Sequence, residues 1–357
     1  MVARAPPPTP QPGWEREPTG HCQKSFCFFF FRKRRVWFFS EEKNQKTFIP
    51  WWLALPIDAA TRLGARADRP LKKVFLLLFL QKKKNLPVLP PADGGTKVAP
   101  IFHLTQGDAP LIVSVPHAGT ILPDDIAAQL TPIGRAMVDT DWFVDRLYTF
   151  VPETGATLLV ATHSRTVVDL NRSPDGEKLY PGQAETGLCP TETFSGEPLY
   201  TAAPPDQAEI ARRVATYWRP YHDALSAELG RLKRRHGFVR LLDGHSILGE
   251  IPRLFEGALP DLNFGTNSGA AMSAALAGRI VAAAAGHGFS HVLDGRFRGG
   301  AITRHYGQPA EGVHTIQLEL AQRTYMDESA ATPTHDALRA APLIGVLKRV
   351  VAALLEA

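Results

Sequence analysis

Two histidines, two aspartates and one glutamate carry the chemistry this sequence could perform. His117 stands just after the apolar run 111–115 (LIVSV), in Pro116-His117-Ala118-Gly119. His245 stands just after a second apolar run, 238–242 (FVRLL), in Asp243-Gly244-His245-Ser246. Both lie beside glycines, which let a backbone approach a ligand closely. Two histidines and one carboxylate form the usual protein ligand set of a catalytic zinc ion, with the fourth position left to water. Asp139-Thr140-Asp141 supplies the carboxylate, and on spacing alone either aspartate can serve. A single histidine after a strand is more often a hydrogen-bonded core residue. Two of them, with an acidic pair nearby, weigh against that bland reading.

Three further segments join the candidate site. Asp169-Leu170-Asn171-Arg172 offers a guanidinium fork suited to a carboxylate, with an amide beside it. The alternative is a surface turn with a structural salt bridge. Glu319 lies in 316–320 (IQLEL), where strict alternation puts it on one face with Gln317, opposite Ile316, Leu318 and Leu320. A carboxylate inside an apolar strand can be raised in pKa and poised as a general base; an exposed alternate position is the competing reading. The stretch 299–307 (GGAITRHYG) has the composition of an anion-contacting loop.

The elements that must position these groups follow an alternating pattern. Strands are expected at 111–115, 157–161 (TLLVA), 166–170 (TVVDL), 238–242, 291–293 and 313–320. Helices are expected over 123–148 with a break near Thr131-Pro132, over 205–236, over 268–285 and over 335–355. A long loop, 171–205, separates the first half from the second. Alternating strands and helices imply a layered α/β fold around a mostly parallel sheet. Such folds bind ligands at the carboxyl ends of their strands.

Composition bounds the rest. The chain has 357 residues, enough for one large domain or two ordinary ones. Its net charge of +5 is unevenly spread. Residues 1–96 hold 17 Lys/Arg against 7 Asp/Glu, and the remainder holds 23 against 28. The acidic body is therefore not expected to bind nucleic acid. Three cysteines, Cys22, Cys27 and Cys189, make no disulfide framework, and the lone Cys189 of the body suits a reducing cytoplasm. Residues 1–96 combine a Pro-rich start, an aromatic run at 26–31 and a second apolar run at 74–80 between lysines. Neither run reaches the ~18–20 residues that cross a bilayer. The segment is expected to be a disordered or spurious extension, translated upstream of the true start. A basic-aromatic arm for membrane or nucleic acid and a targeting extension are the alternatives.

Six segments in series resemble the N-formylglutamate amidohydrolase family: 111–119 (LIVSVPHAG), 139–148 (DTDWFVDRLY), 168–172 (VDLNR), 242–246 (LDGHS), 299–307 (GGAITRHYG) and 317–328 (QLELAQRTYMDE). The resemblance covers roughly residues 98–330 and gives no account of 1–96. It implies a zinc carboxypeptidase-like layered α/β/α domain, 97–357, with a central mixed sheet. It implies one Zn2+ per active site, held by His117, His245 and Asp141, with Asp139 as the alternative. The carboxypeptidase pattern has a Glu three residues after its first histidine, whereas Thr120 stands there in this chain. Glu319 matches the family's base, and Asn171 and Arg172 match its substrate-carboxylate pair. The implied activity is deformylation of N-formylglutamate in bacterial histidine breakdown. That small dianionic substrate needs fixed cations, for which Arg172 stands first and Arg165 and Arg304 follow. Competing readings are a deacylase of another N-acyl acidic amino acid, a non-enzymatic binding protein and a membrane-attached enzyme.

Overall fold

The computed structural model describes residues 27–32, 35–40, 99–179, 182–330 and 332–356. The chain divides into two units, Met1–Gly95 and Thr96–Ala357. In the first, β1 (Cys27–Arg32) and β2 (Arg35–Ser40) pair antiparallel, with Phe29 opposite Phe38. The other readings of residues 1–96 lie outside the described residues.

The second unit is built on a seven-stranded sheet. In chain order its strands are β3 (Phe102–Thr105), β4 (Leu111–Val115), β5 (Thr157–Ala161), β6 (Val239–Ile247), β7 (Leu262–Gly265), β8 (His291–Leu293) and β9 (Val313–Ala321). Their spatial order is β3-β5-β4-β6-β9-β7-β8. The central four, β5, β4, β6 and β9, run parallel. β3 and β7 join them antiparallel, and β8 lies parallel to β7. The sheet is mixed with a parallel centre, as expected.

Among the described residues eight α-helices accompany it: α1 (Asp124–Ala127), α2 (Pro132–Ala136), α3 (Val144–Leu147), α4 (Gln207–Arg213), α5 (Arg219–His236), α6 (Ala274–Ala284), α7 (Ala301–Tyr306) and α8 (Ala337–Glu356). Side-chain alternation along the strands sorts the core into two layers. Leu111, Val113, Val115, Leu242, Ile316, Leu318 and Leu320 face α6 and α8. Ile112, Leu159, Val239, Leu241 and Val313 face α5 through Tyr221, Leu225, Leu229 and Leu232. Each such aliphatic side chain contributes about 1.5–3 kcal/mol on full burial.

The helices end where local chemistry requires. α5 stops at Gly237, whose φ of 80° is left-handed, after a basic last turn that complements the helix dipole. α8 starts at Asp336, whose Oδ1 accepts from the amides of Leu338 and Arg339. Its buried residues at 340, 343, 346, 347, 350, 351 and 354 repeat every three or four positions, so one stripe meets the sheet. Among the described residues no helix is long and apolar enough to cross a membrane.

Four local expectations are corrected. β6 continues through 243–247, so His245 lies within a strand and not after one. The β-branched stretch 166–170 is a buried turn and no strand. Region 123–148 is three short helices and no long one. The glycine-rich stretch 299–307 folds largely into α7.

Candidate functional site

Strand pleating brings the chemistry to one face. On the α5 side, Val239 and Leu241 give way along β6 to Asp243 and His245, and Val313 along β9 to Gln317 and Glu319. The register sets Asp243 beside Gln317 and His245 beside Glu319. Thus the amino-terminal halves of these strands make core and the carboxyl-terminal halves make a site. His117 enters from the loop after β4, and its ring centroid is 4.9 Å from that of His245.

One atom from each of His117, Asp141 and His245 lies within 4.8 Å of the others, and all three residues are buried. Asp141 Oδ2 is 3.1 Å from His245 Nδ1 and 3.8 Å from His117 Nδ1. A tetrahedral zinc with bonds of about 2.0–2.1 Å has ligand–ligand edges of about 3.3 Å, close to these values. The opposite ring nitrogens are engaged. His117 Nε2 donates to Asp169 Oδ1 at 2.8 Å, and His245 Nε2 to Asp243 Oδ2 at 2.9 Å. With both Nε2 atoms engaged in this way, both Nδ1 atoms face Asp141, and loss of any Nδ1 proton would free them to hold an ion. His117 Nδ1 is buried with no hydrogen-bond partner, as suits an atom that could ligate a metal. The residues therefore fit a divalent cation.

The electrostatics agree. Asp141, Asp169, Asp243 and Glu319 are buried together, with Arg165 the buried cation among them. Burial, and then Arg165, lower the pKa of His117. Burial also works against a charged His245, but Asp243 and Asp141 outweigh it and raise that group. The same negative field would attract a metal ion. Burial pushes the Glu319 carboxyl up to about 8, against the pull of His245. Gln317 Nε2 donates to Glu319 Oε2 at 3.2 Å.

Asp139 lies apart from this cluster. Its Oδ2 accepts from the Phe194 amide at 2.8 Å, and burial raises its carboxyl to about 6. Asp141 is fixed by the Ser246 amide, which donates to Oδ2 at 3.0 Å.

Arg165 lines the cavity and is also paired with carboxylates. Nη2 donates to Asp169 Oδ2 at 2.6 Å and Nη1 to Asp141 Oδ1 at 3.5 Å, so it braces the carboxylates around the histidines. Burial disfavours its charge, but those two aspartates outweigh the penalty. Arg172 lines the cavity and is held by Thr186 O at 2.8 Å and Asn171 O at 3.1 Å. Asn171 also lines it, but its Oδ1 accepts from the Ile302 amide at 2.8 Å and its Nδ2 donates to Gln317 Oε1 at 3.3 Å. Those bonds fix the amide within the wall. Arg304 is absent from the cavity lining; its Nε donates to Gly299 O at 3.0 Å. Of the expected anion loop, Gly300 lines the cavity, and the amides of Ala301 and Ile302 are directed at Asn171.

The cavity is lined by His117, His245 and Glu319, with Arg165, Arg172 and Arg296 as its cations. Arg296 escaped the sequence reading. It sits in a loop with no period to mark it, where Nε donates to Leu254 O at 2.8 Å and Nη2 to Ala184 O at 3.3 Å. The roles of Asp169 and Asp243 were also missed. Asp243 precedes His245 by two residues on one strand face, and that spacing was the available signal.

The glycines serve packing more than ligand approach. A Cβ on Gly244 would come within 2.7 Å of the Tyr148 ring, and one on Gly300 would strike the Asn171 side chain.

Two histidines and a carboxylate that could hold a metal ion, facing a buried glutamate at the carboxyl edge of an α/β sheet, are the groups with which a hydrolase can activate water. Residues 109–326 match the family model described as N-formylglutamate amidohydrolase. The chain belongs to that family. A Pseudomonas aeruginosa protein named N-formylglutamate deformylase is 51% identical over 232 residues, 64% of this chain and 87% of the relative. A Pseudomonas putida protein of the same name is 47% identical over 256 residues, 71% of this chain and 94% of the relative. The crystal structure of an N-formylglutamate amidohydrolase from Ralstonia eutropha JMP134 aligns with a TM-score of 0.60 at 26% identity, covering 71% of this chain and 96% of that one. A gene product of Agrobacterium tumefaciens, 18% identical with a TM-score of 0.55, shares the fold.

Proposed function

We propose that the protein hydrolyses N-formyl-L-glutamate to formate and L-glutamate, as a late step of histidine degradation, with one zinc ion held by His117, Asp141 and His245. The observation that carries this reading is the clustering of Asp141 with His117 and His245, two histidines that share one cavity with Glu319 and guanidinium groups. The names of the Pseudomonas relatives supply the substrate.

A zinc ion at this position would lower the pKa of water and polarise the formyl oxygen. Glu319 takes a proton from the attacking water and returns it to the amine nitrogen of the departing glutamate. Asp169 and Asp243 keep the imidazole rings oriented through their Nε2 protons. Arg172 binds the α-carboxylate of the substrate and Arg296 the side-chain carboxylate, each in a fork suited to two oxygens.

The test is formate release from N-formylglutamate by the purified chain. Activity that a chelator abolishes and Zn2+ restores is the expected result. Turnover of N-acetyl- or N-succinylglutamate in preference to the formyl compound would overturn the substrate assignment.

Arg296 gives a separate prediction. Arg296→Ala should reduce the preference for N-formylglutamate over N-formylglutamine by about tenfold or more, because a neutral amide loses less than a carboxylate when the cation goes. The ratio of kcat/KM for the two substrates reads this directly. An unchanged ratio removes Arg296 from the substrate site.

A further inference from the structure

The long helix over 207–236 is interrupted between α4 and α5 by a π-helical turn, Val214–Trp218. Such turns bond i to i+5 and are frequent at functional sites. The wider turn lets Arg213, Trp218 and His222 reach the same strip of backbone. Arg213 Nη1 donates to Val167 O at 3.1 Å. His222 Nε2 donates to Leu170 O at 2.8 Å. Trp218 Nε1 donates to Arg172 O at 3.0 Å. These three carbonyls belong to one turn of chain, 167–172, which ends in Asn171-Arg172. The Trp218 and His222 rings stack at 3.7 Å, and Tyr306 lies on His222 with its hydroxyl 3.0 Å from Nδ1. Burial holds His222 down at about 4, so the ring is neutral, with Nε2 as its donor.

The same helix face reaches the other half of the site. Tyr221 is fully buried, and its hydroxyl donates to Ser114 Oγ at 3.0 Å. Ser114 donates in turn to Asp243 Oδ1 at 3.1 Å, and the other oxygen of Asp243 holds His245. Residues 218, 221 and 222 are neighbours at i, i+3 and i+4. One helical turn therefore grips both the Asn171-Arg172 segment and the carboxylate behind a candidate metal ligand.

We infer that this turn sets the geometry of the site: Trp218 and His222 are positioning residues for Asn171 and Arg172, and Tyr221 is a positioning residue for His245. The inference rests on the reading above for what Arg172 binds.

The test uses the full chain. Trp218→Phe and His222→Leu should each raise KM for N-formylglutamate about tenfold with kcat within about threefold, since displacing a wall residue weakens orientation. His222→Gln, which keeps an N–H near Leu170 O, should recover most of the loss. Tyr221→Phe should weaken zinc about tenfold in a competition titration while KM holds. Leu232→Ala, lower on α5, should reduce Tm without moving KM or zinc affinity. If Leu232→Ala raises KM as much as Trp218→Phe does, the helix is mere scaffold and the inference falls. Zinc affinity within about twofold of the parent in Tyr221→Phe would overturn the metal-side assignment. Amide exchange across 167–172 supplies a readout independent of substrate. It should quicken about tenfold in Trp218→Phe, and unchanged exchange would overturn the substrate-side assignment. A parent chain that releases no formate would refute the functional reading alone, with exchange and zinc titration still deciding the inference.

Discussion

On the proposed mechanism, Glu319→Gln should still bind zinc and lose turnover by about 10²–10⁴-fold, the range expected when a general base is removed. The amide matches the carboxyl in shape, so β9 and its pairing with β6 stay intact. The lost quantity is the capacity to take and return a proton. Three features converge on this residue. Burial lifts its carboxyl to about 8, near the working range of a base in neutral solution. Gln317 orients one of its oxygens. Its strand position puts it directly beside His245. Steady-state kinetics with metal analysis of the same preparation separates loss of base from loss of ion. A Glu319→Gln enzyme that keeps a tenth or more of the parental kcat would show that another group moves the proton.

By the same proposal, Asp141→Ala should lose zinc binding, whereas Asp139→Ala should keep it. Asp141 Oδ2 is the atom toward which both Nδ1 atoms point. Its removal also leaves the Ser246 amide and one arm of Arg165 without their acceptor. Breaking a buried ion pair in this way costs about 3–5 kcal/mol, so the variant should also melt earlier. Asp139 accepts from the Phe194 amide, and its replacement should cost about 1–3 kcal/mol of stability while zinc binding is retained. Zinc per chain after dialysis, measured for both variants, decides the matter. Metal lost from Asp139→Ala and kept by Asp141→Ala would reverse the assignment.

Much of the central sheet is legible in the sequence. β4 and β5 begin and end where their apolar runs do, because a strand buried on both faces must be apolar throughout. The placement of Glu319 on the face of Gln317 follows from alternation alone. The errors have physical causes. Gly244 reads as a turn signal, but it sits inside β6 because the Tyr148 ring occupies the space of a side chain there. Thr166, Val167 and Val168 have strand propensity, yet Arg213, Asp169 and Ser164 bond this backbone as a turn, and tertiary context prevails. β3 and β7 have four residues each, too few to show a period. The choice between Asp139 and Asp141 needs the loop in place. The Asp141 amide donates to His117 O at 3.1 Å, a contact that tethers one candidate ligand to another. No spacing rule contains that bond.

Because His245 and Glu319 occupy matched rungs of adjacent strands, their separation is inherited from the sheet, whose chains lie about 4.8 Å apart. A loop can lengthen, shorten or tilt by mutation; a rung flanked by paired neighbours cannot. Divergence toward other acyl groups must then proceed around an immovable reaction centre. The adaptable ground is the remaining lining formed by Glu185, Thr186, Leu254 and Phe297, contributed by segments between the strands. Directed evolution for a bulkier acyl chain should accumulate its changes on that lining and leave 243–247 and 317–321 untouched.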